Sequence, residues 1–123
     1  MIPFKNRFHG HKSLMYVYRN GQTVRSHSLV LRSITNSHRS DTRFAVVVSK
    51  KVLKSAVRRN RIRRRLYEYI RINIMPELDG VYDIVVIVSS SEFLNMAHSD
   101  MTDQISQLFN QSDIQKITKT AQK

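Results

Sequence analysis

The stretch Phe44-Ala45-Val46-Val47-Val48-Ser49-Lys50-Lys51-Val52-Leu53-Lys54-Ser55-Ala56-Val57-Arg58-Arg59-Asn60-Arg61-Ile62-Arg63-Arg64-Arg65-Leu66-Tyr67-Glu68-Tyr69-Ile70-Arg71 changes character at Ser49. Before it, the continuous and mostly β-branched run Phe44 to Val48 predicts a strand in the middle of a sheet. After it, the apolar spacing lengthens and predicts a helix from about Ser55, a suitable N-cap, to Ile74, with Pro76 closing it. At 100° per residue Ile62, Leu66, Tyr69, Ile70 and Asn73 form one stripe that can dock on the sheet. Arg61, Arg64 and Arg71 then point away from the stripe, with Asn60, Arg63 and Tyr67 on one flank and Arg58 and Arg65 on the other. From Lys50 to Arg71 there are ten Lys or Arg and one acid, so this helix is basic wherever it is not apolar.

Outward from this helix, Asp83 to Val88 is a second β-branched run, reached through Asp79-Gly80, and it too predicts a central strand. On the other side, Val24 to Ile34 predicts a strand and the polar Thr35 to Thr42 a loop. His11 to Arg19, with Leu14, Met15, Val17 and Tyr18, predicts a short helix ended by Asn20-Gly21, with Gly21 left-handed. A last helix, about His98 to Asn110, carries Met101, Ile105, Leu108 and Phe109 on one stripe, with Asp100 and Asp103 near its positive end. This order predicts a single α+β domain over residues 1–111, helices packed on a small sheet, and a polar, flexible tail over 112–123.

A chain of 123 residues that is 41% hydrophobic can bury one core without staples, and with no cysteine it has no disulfide, thiolate cluster or cysteine nucleophile. Through Arg71 it carries 18 Lys and Arg against 2 acids; beyond Arg71, 3 against 7. That polarity suits a polyanionic partner, and nucleic acid is the commonest one in the cytoplasm. A merely solvated basic face or an anionic membrane surface also fits the charge alone. No stretch is long and apolar enough for a membrane span, and the N-terminus has no uninterrupted apolar core of a secretory signal, so a cytoplasmic protein is expected. Arginine favours phosphate, because its planar fork takes two oxygens at once, and Asn60 adds a donor and an acceptor for a base or sugar edge. Arg25, Arg32 and Arg43 on the strands suggest a partly basic sheet edge opposite the helix, a groove for a single strand or folded RNA.

At these residues the sequence resembles the protein component of bacterial ribonuclease P. The motif is Val48-Ser49-Lys50-Lys51, a short spacer, then Ala56-Val57-Arg58-Arg59-Asn60-Arg61-Ile62-Arg63-Arg64. Arg7, Tyr18-Arg19-Asn20-Gly21, Arg43 and Asp83-Ile84-Val85-Val86-Ile87 extend the similarity over about Arg7 to Phe109. The resemblance implies an αβββαβα fold of about four strands and three helices with a left-handed βαβ crossover. It implies a subunit that binds the catalytic RNA and the 5′ leader of precursor tRNA, while RNA-bound magnesium removes the leader. RNA-binding residues would be Lys50, Lys51, Arg58, Arg59, Asn60, Arg61, Arg63 and Arg64; the leader cleft, between the first helix and the sheet, would include Leu14, Tyr18, Arg32 and Arg43. Tyr67 stands where the family often has another arginine, which would exchange a phosphate contact for stacking. No obligate protein partner is implied.

The residues themselves argue against independent catalysis. A two-metal nuclease needs converging carboxylates, and the basic part offers only Asp41 and Glu68, the latter an i,i+4 partner for Arg64. No His-x3-His, GxxxxGK[ST] or GxGxxG occurs, so no protein-only metal site, catalytic residue or nucleotide loop is expected. Magnesium is expected on the RNA. The competing readings are a ribosomal or other structural RNA-binding protein and a helix-turn-helix DNA regulator; the second needs two adjacent helices, whereas a strand precedes this one.

Overall fold

The structure, a computed structural model, describes residues 4–8, 11–36 and 40–112, so the expected tail lies outside the described residues apart from Ser112. A 3-10 turn, Phe4–Asn6, leads to α1 (His11–Asn20), β1 (Gln22–Arg25), β2 (Leu29–Thr35), β3 (Arg43–Val48), α2 (Ala56–Tyr69), β4 (Tyr82–Val88) and α3 (His98–Gln111). The expected strand over Val24 to Ile34 is thus a hairpin: Ser26 accommodates a turn, its N–H donating to Leu29 O, and splits the segment into two antiparallel strands. The sheet order is β1-β2-β4-β3, with β2 antiparallel and β3 parallel to β4, Val46 opposite Val86. A parallel neighbour needs a long crossover, which α2 supplies.

Period-two alternation divides the sheet. Leu29, Leu31, Phe44, Val46, Ile84, Val86 and Val88 point into one core with Ile62 and Leu66 of α2 and Met101, Ile105, Leu108 and Phe109 of α3, all buried. Ile62 and Leu66 have no solvent exposure, and each such side chain stabilises the fold by about 1.5–3 kcal/mol. The opposite face carries α1, whose Val17 is fully buried, as is Val85 of β4. Arg25, Arg32 and Arg43 alternate onto this α1 face, not toward α2. The expected groove between basic helix and basic strands therefore does not form: a core of 18 apolar side chains among the described residues fills the space under α2.

β3 is an edge strand, not a central one. Its run is apolar because the edge is covered: Arg7 bridges Phe44 in parallel, and the Val46 N–H donates to the Tyr67 hydroxyl at 2.9 Å. Tyr67 is thereby committed to blunting an open edge that would otherwise template pairing with another chain.

Ser55 caps α2, its hydroxyl accepting from the Arg58 N–H at 3.3 Å. After Tyr69 the helix widens into a π-helical segment, Ile70–Ile74, before a 3-10 turn at Met75–Glu77. The wider turn shifts the stripe by one residue, so Ile74 is buried where Asn73 is expected, and Asn73 is exposed with its amide on Tyr69 O. Gly21 is not left-handed; Gly80, at φ +117°, is the glycine that needs that region. Gly21 is needed for close approach, since a Cβ there would sit 2.6 Å from Val17 O and 3.0 Å from Ser33 O. No helix among the described residues is long and apolar enough to cross a membrane.

Candidate nucleic-acid interface

At the end of β3 the chain turns tightly on Ser49, whose carbonyl accepts the N–H groups of Val52 and Leu53 at 3.2 and 3.1 Å. The turn leaves Lys50 and Lys51 exposed at its corner, with Lys54 exposed just before α2. Arg58, Asn60, Arg61 and Arg64 continue the exposed surface along the helix. Among the described residues Arg58, Arg61 and Arg64 have no ion pair or hydrogen bond from their side chains. The first turn of α2 has no acid. Cations there oppose the positive helix end at about 0.3–1 kcal/mol each, an unfavourable arrangement that a bound polyanion reverses.

Two of the motif's arginines have other duties. Arg59 is half-buried, and its Nη1 donates to Leu53 O at 2.9 Å and Lys54 O at 2.7 Å, tying the lysine-bearing turn to the helix. Arg63 donates to Asn60 Oδ1, and these two line a shallow groove of about 300 Å³ with Arg64 and Tyr67. The groove presents two guanidinium groups, an amide and a ring edge. Arg65 faces inward, donating to Met96 O at 3.0 Å. Glu68 is bonded to Arg71, not Arg64, and that bond holds its carboxyl below the usual range.

The expected leader cleft separates into parts. α1 crosses the sheet from the start of β3, where Arg43 Nη1 reaches Ser13 Oγ at 3.2 Å, to β2, where Arg32 Nη1 reaches Tyr18 O at 2.6 Å. Tyr18, Arg32 and Ile87 line one groove of about 240 Å³, with the guanidinium of Arg32 5.8 Å from the Tyr18 ring centre. Burial pushes the Tyr18 hydroxyl above the ordinary phenol range, against the pull of the Arg32 charge, so it stays a donor. Leu14 is half-buried on the same flank of α1, outside the lining of that groove.

Arg43 is not a free cation. Its Nε and Nη2 meet Asp83 Oδ1 and Oδ2 at 2.8 and 2.6 Å, its side chain is 7% exposed, and Phe8 lies over it at 4.8 Å. Taking one charge of such a pair away strands the other at a cost of about 3–5 kcal/mol, so Arg43 braces the sheet beneath α1 and its charge is spent on Asp83. This pair floors a second cleft, of about 510 Å³, on the opposite flank of α1, with Lys12 and Tyr16 at its rim. Sequence reasoning missed both; the signal was their i,i+4 spacing on the flank away from Tyr18.

Among the described residues no three His, Asp or Glu side chains gather to hold a metal ion. Asp83 is engaged by Arg43 and Asn36, and Glu92 by Ser28 and His27.

Residues 2–113 match the family model described as Ribonuclease P. The chain is 37% identical over 90 residues to the ribonuclease P protein component of Pseudanabaena sp., covering 73% of this chain and 77% of that one. A Staphylococcus aureus RNase P protein mutant shares the fold with a TM-score of 0.78 at 21% identity, covering 89% of each chain. The Thermotoga maritima RNase P protein does so with a TM-score of 0.73 at 23% identity, covering 85% of this chain and 96% of that one.

Proposed function

This chain belongs to the bacterial ribonuclease P protein family, and on that premise we propose that it binds the catalytic RNA of ribonuclease P and the 5′ leader of precursor tRNA. The carrying observation is the run of exposed cations from Lys50 to Arg64, with Arg58 in the first turn of α2 and Arg61 and Arg64 further along its outer face, all three unpaired among the described residues. Each is free to place a guanidinium fork on a phosphate. The groove of Tyr18, Arg32 and Ile87 supports the leader part of the reading: a ring, a cation and an aliphatic floor suit an unpaired base.

In this reading the protein positions RNA and neutralises phosphate repulsion, while the RNA holds the magnesium that activates water for phosphodiester hydrolysis. Asp83, Glu68 and Glu92 are bonded to Arg43 and Asn36, to Arg71 and to Ser28, and among the described residues no three carboxylate or histidine side chains gather as a nuclease centre would need. The protein alone is inactive and works in the cytoplasm. The test is reconstitution. Addition of the chain to a bacterial ribonuclease P RNA should accelerate release of the 5′ leader at limiting magnesium, and scrupulously RNA-free protein should release none. Cleavage by the protein alone would sink the auxiliary role; absence of any stimulation would leave a structural RNA-binding protein.

A further inference from the structure

The second cleft, on the far flank of α1, has a floor that is already satisfied. Asp83 accepts from both Arg43 and Asn36, and Arg43 also holds Ser13. That floor is internally hydrogen-bonded, polar and neutral. What remains for a ligand is at the rim: Lys12, exposed and without a partner among the described residues, and Tyr16, 55% exposed. One turn apart, they are neighbours on the helix surface. We infer that this cleft is a second RNA contact, in which one unpaired nucleotide stacks its base on Tyr16 and sets its phosphate on Lys12.

Neither simpler ligand matches both rim groups. A bare phosphate would leave the exposed ring uncovered, and an apolar partner would bury Lys12 and a polar floor without return. A nucleotide answers both, and about 510 Å³ is ample for one. Base stacking on an aromatic ring beside a cation is the general mode for single strands. The site is separate from the basic turn: Arg43 opens β3 and Lys50 follows its end, so the two lie about 20 Å apart at some 3.3 Å per residue. It is also separate from the groove at Tyr18, which opens on the other flank of α1.

The inference rests on the proposed function, and the unpaired nucleotide has two possible sources, the leader or a loop of the catalytic RNA. Affinity is therefore measured for wild type, Tyr16→Ala, Tyr16→Phe and Lys12→Ala against three probes. These are ribonuclease P RNA alone, that RNA with leader-bearing precursor tRNA, and that RNA with leaderless tRNA. Tyr16→Ala should weaken binding at least about fivefold, the lower end for losing one base stack, and Tyr16→Phe should stay near wild type. Lys12→Ala should lower the log-log salt slope by about 0.7. A loss confined to the leader-bearing probe assigns the nucleotide to the leader; a loss with the catalytic RNA alone assigns it to that RNA. Both rim residues are exposed, so unfolding should not intervene, and a urea melt checks it. If wild type binds and stimulates cleavage while Tyr16→Ala and Lys12→Ala bind every probe as tightly as it does, the second contact is overturned and the proposed function stands. If wild type binds no probe, both fall.

Discussion

Arg59 and Arg64 lie five residues apart in one motif and do different work. Arg59 holds two carbonyls of the turn that presents Lys50 and Lys51, whereas Arg64 extends into solvent beside Tyr67. Arg59→Ala should therefore lower unfolding free energy by about 1–2 kcal/mol, since hydrogen bonds from a charged donor are lost. It should also loosen the turn, seen as faster amide exchange at Val52 and Leu53. Arg64→Ala should leave both unchanged and weaken RNA binding. The reverse pattern would make Arg59 the phosphate contact and Arg64 the brace. The sequence ranks these residues by helical angle, and at 100° per residue Arg59 lies close to the stripe of Ile62, Leu66 and Ile70. It could not show that the stripe's border is occupied by backbone carbonyls, because those belong to the turn before the helix. Arg43 is a similar case: its place at a strand start was readable, but its pairing with Asp83 depends on the register of β3 against β4.

The elements that were legible are those with a strong period. α2, α3 and β4 follow from apolar spacing that no other structure would satisfy, and Ser55 caps as its position suggests. What was not legible comes from tertiary closure. β3 reads as central because it is apolar throughout, yet its outer edge is sealed by Arg7 and Tyr67, contacts 37 and 21 residues away that no local pattern announces. The π-helical segment is likewise invisible to a fixed 100° step. It makes a sharp prediction: Ile74→Ala should cost about 2–5 kcal/mol, as expected for a truncated core isoleucine, and Asn73→Ala close to nothing. A regular helix through Asn73 would invert that order, and urea unfolding of the two variants distinguishes them.

For the whole molecule, the sheet is a partition. One face is sealed with α2 and α3 over the apolar core; the other carries α1, with a groove on each flank. The basic surface begins where β3 leaves the sheet and runs along the outer side of α2. A formal charge of +12 on 123 residues is unfavourable to a compact chain in isolation and favourable in contact with RNA, which ties solubility, affinity and salt response to the same cations. The most direct test is the affinity for ribonuclease P RNA across a salt series, for wild type and for the variant Arg58→Ala/Arg61→Ala/Arg64→Ala. Three lost phosphate contacts should lower the log-log slope by roughly 2 to 3, with unfolding free energy not lowered, because no structural bond is removed and one cation leaves the positive helix end. A folded triple variant with the wild-type slope and affinity would contradict the assignment of this helix face to RNA.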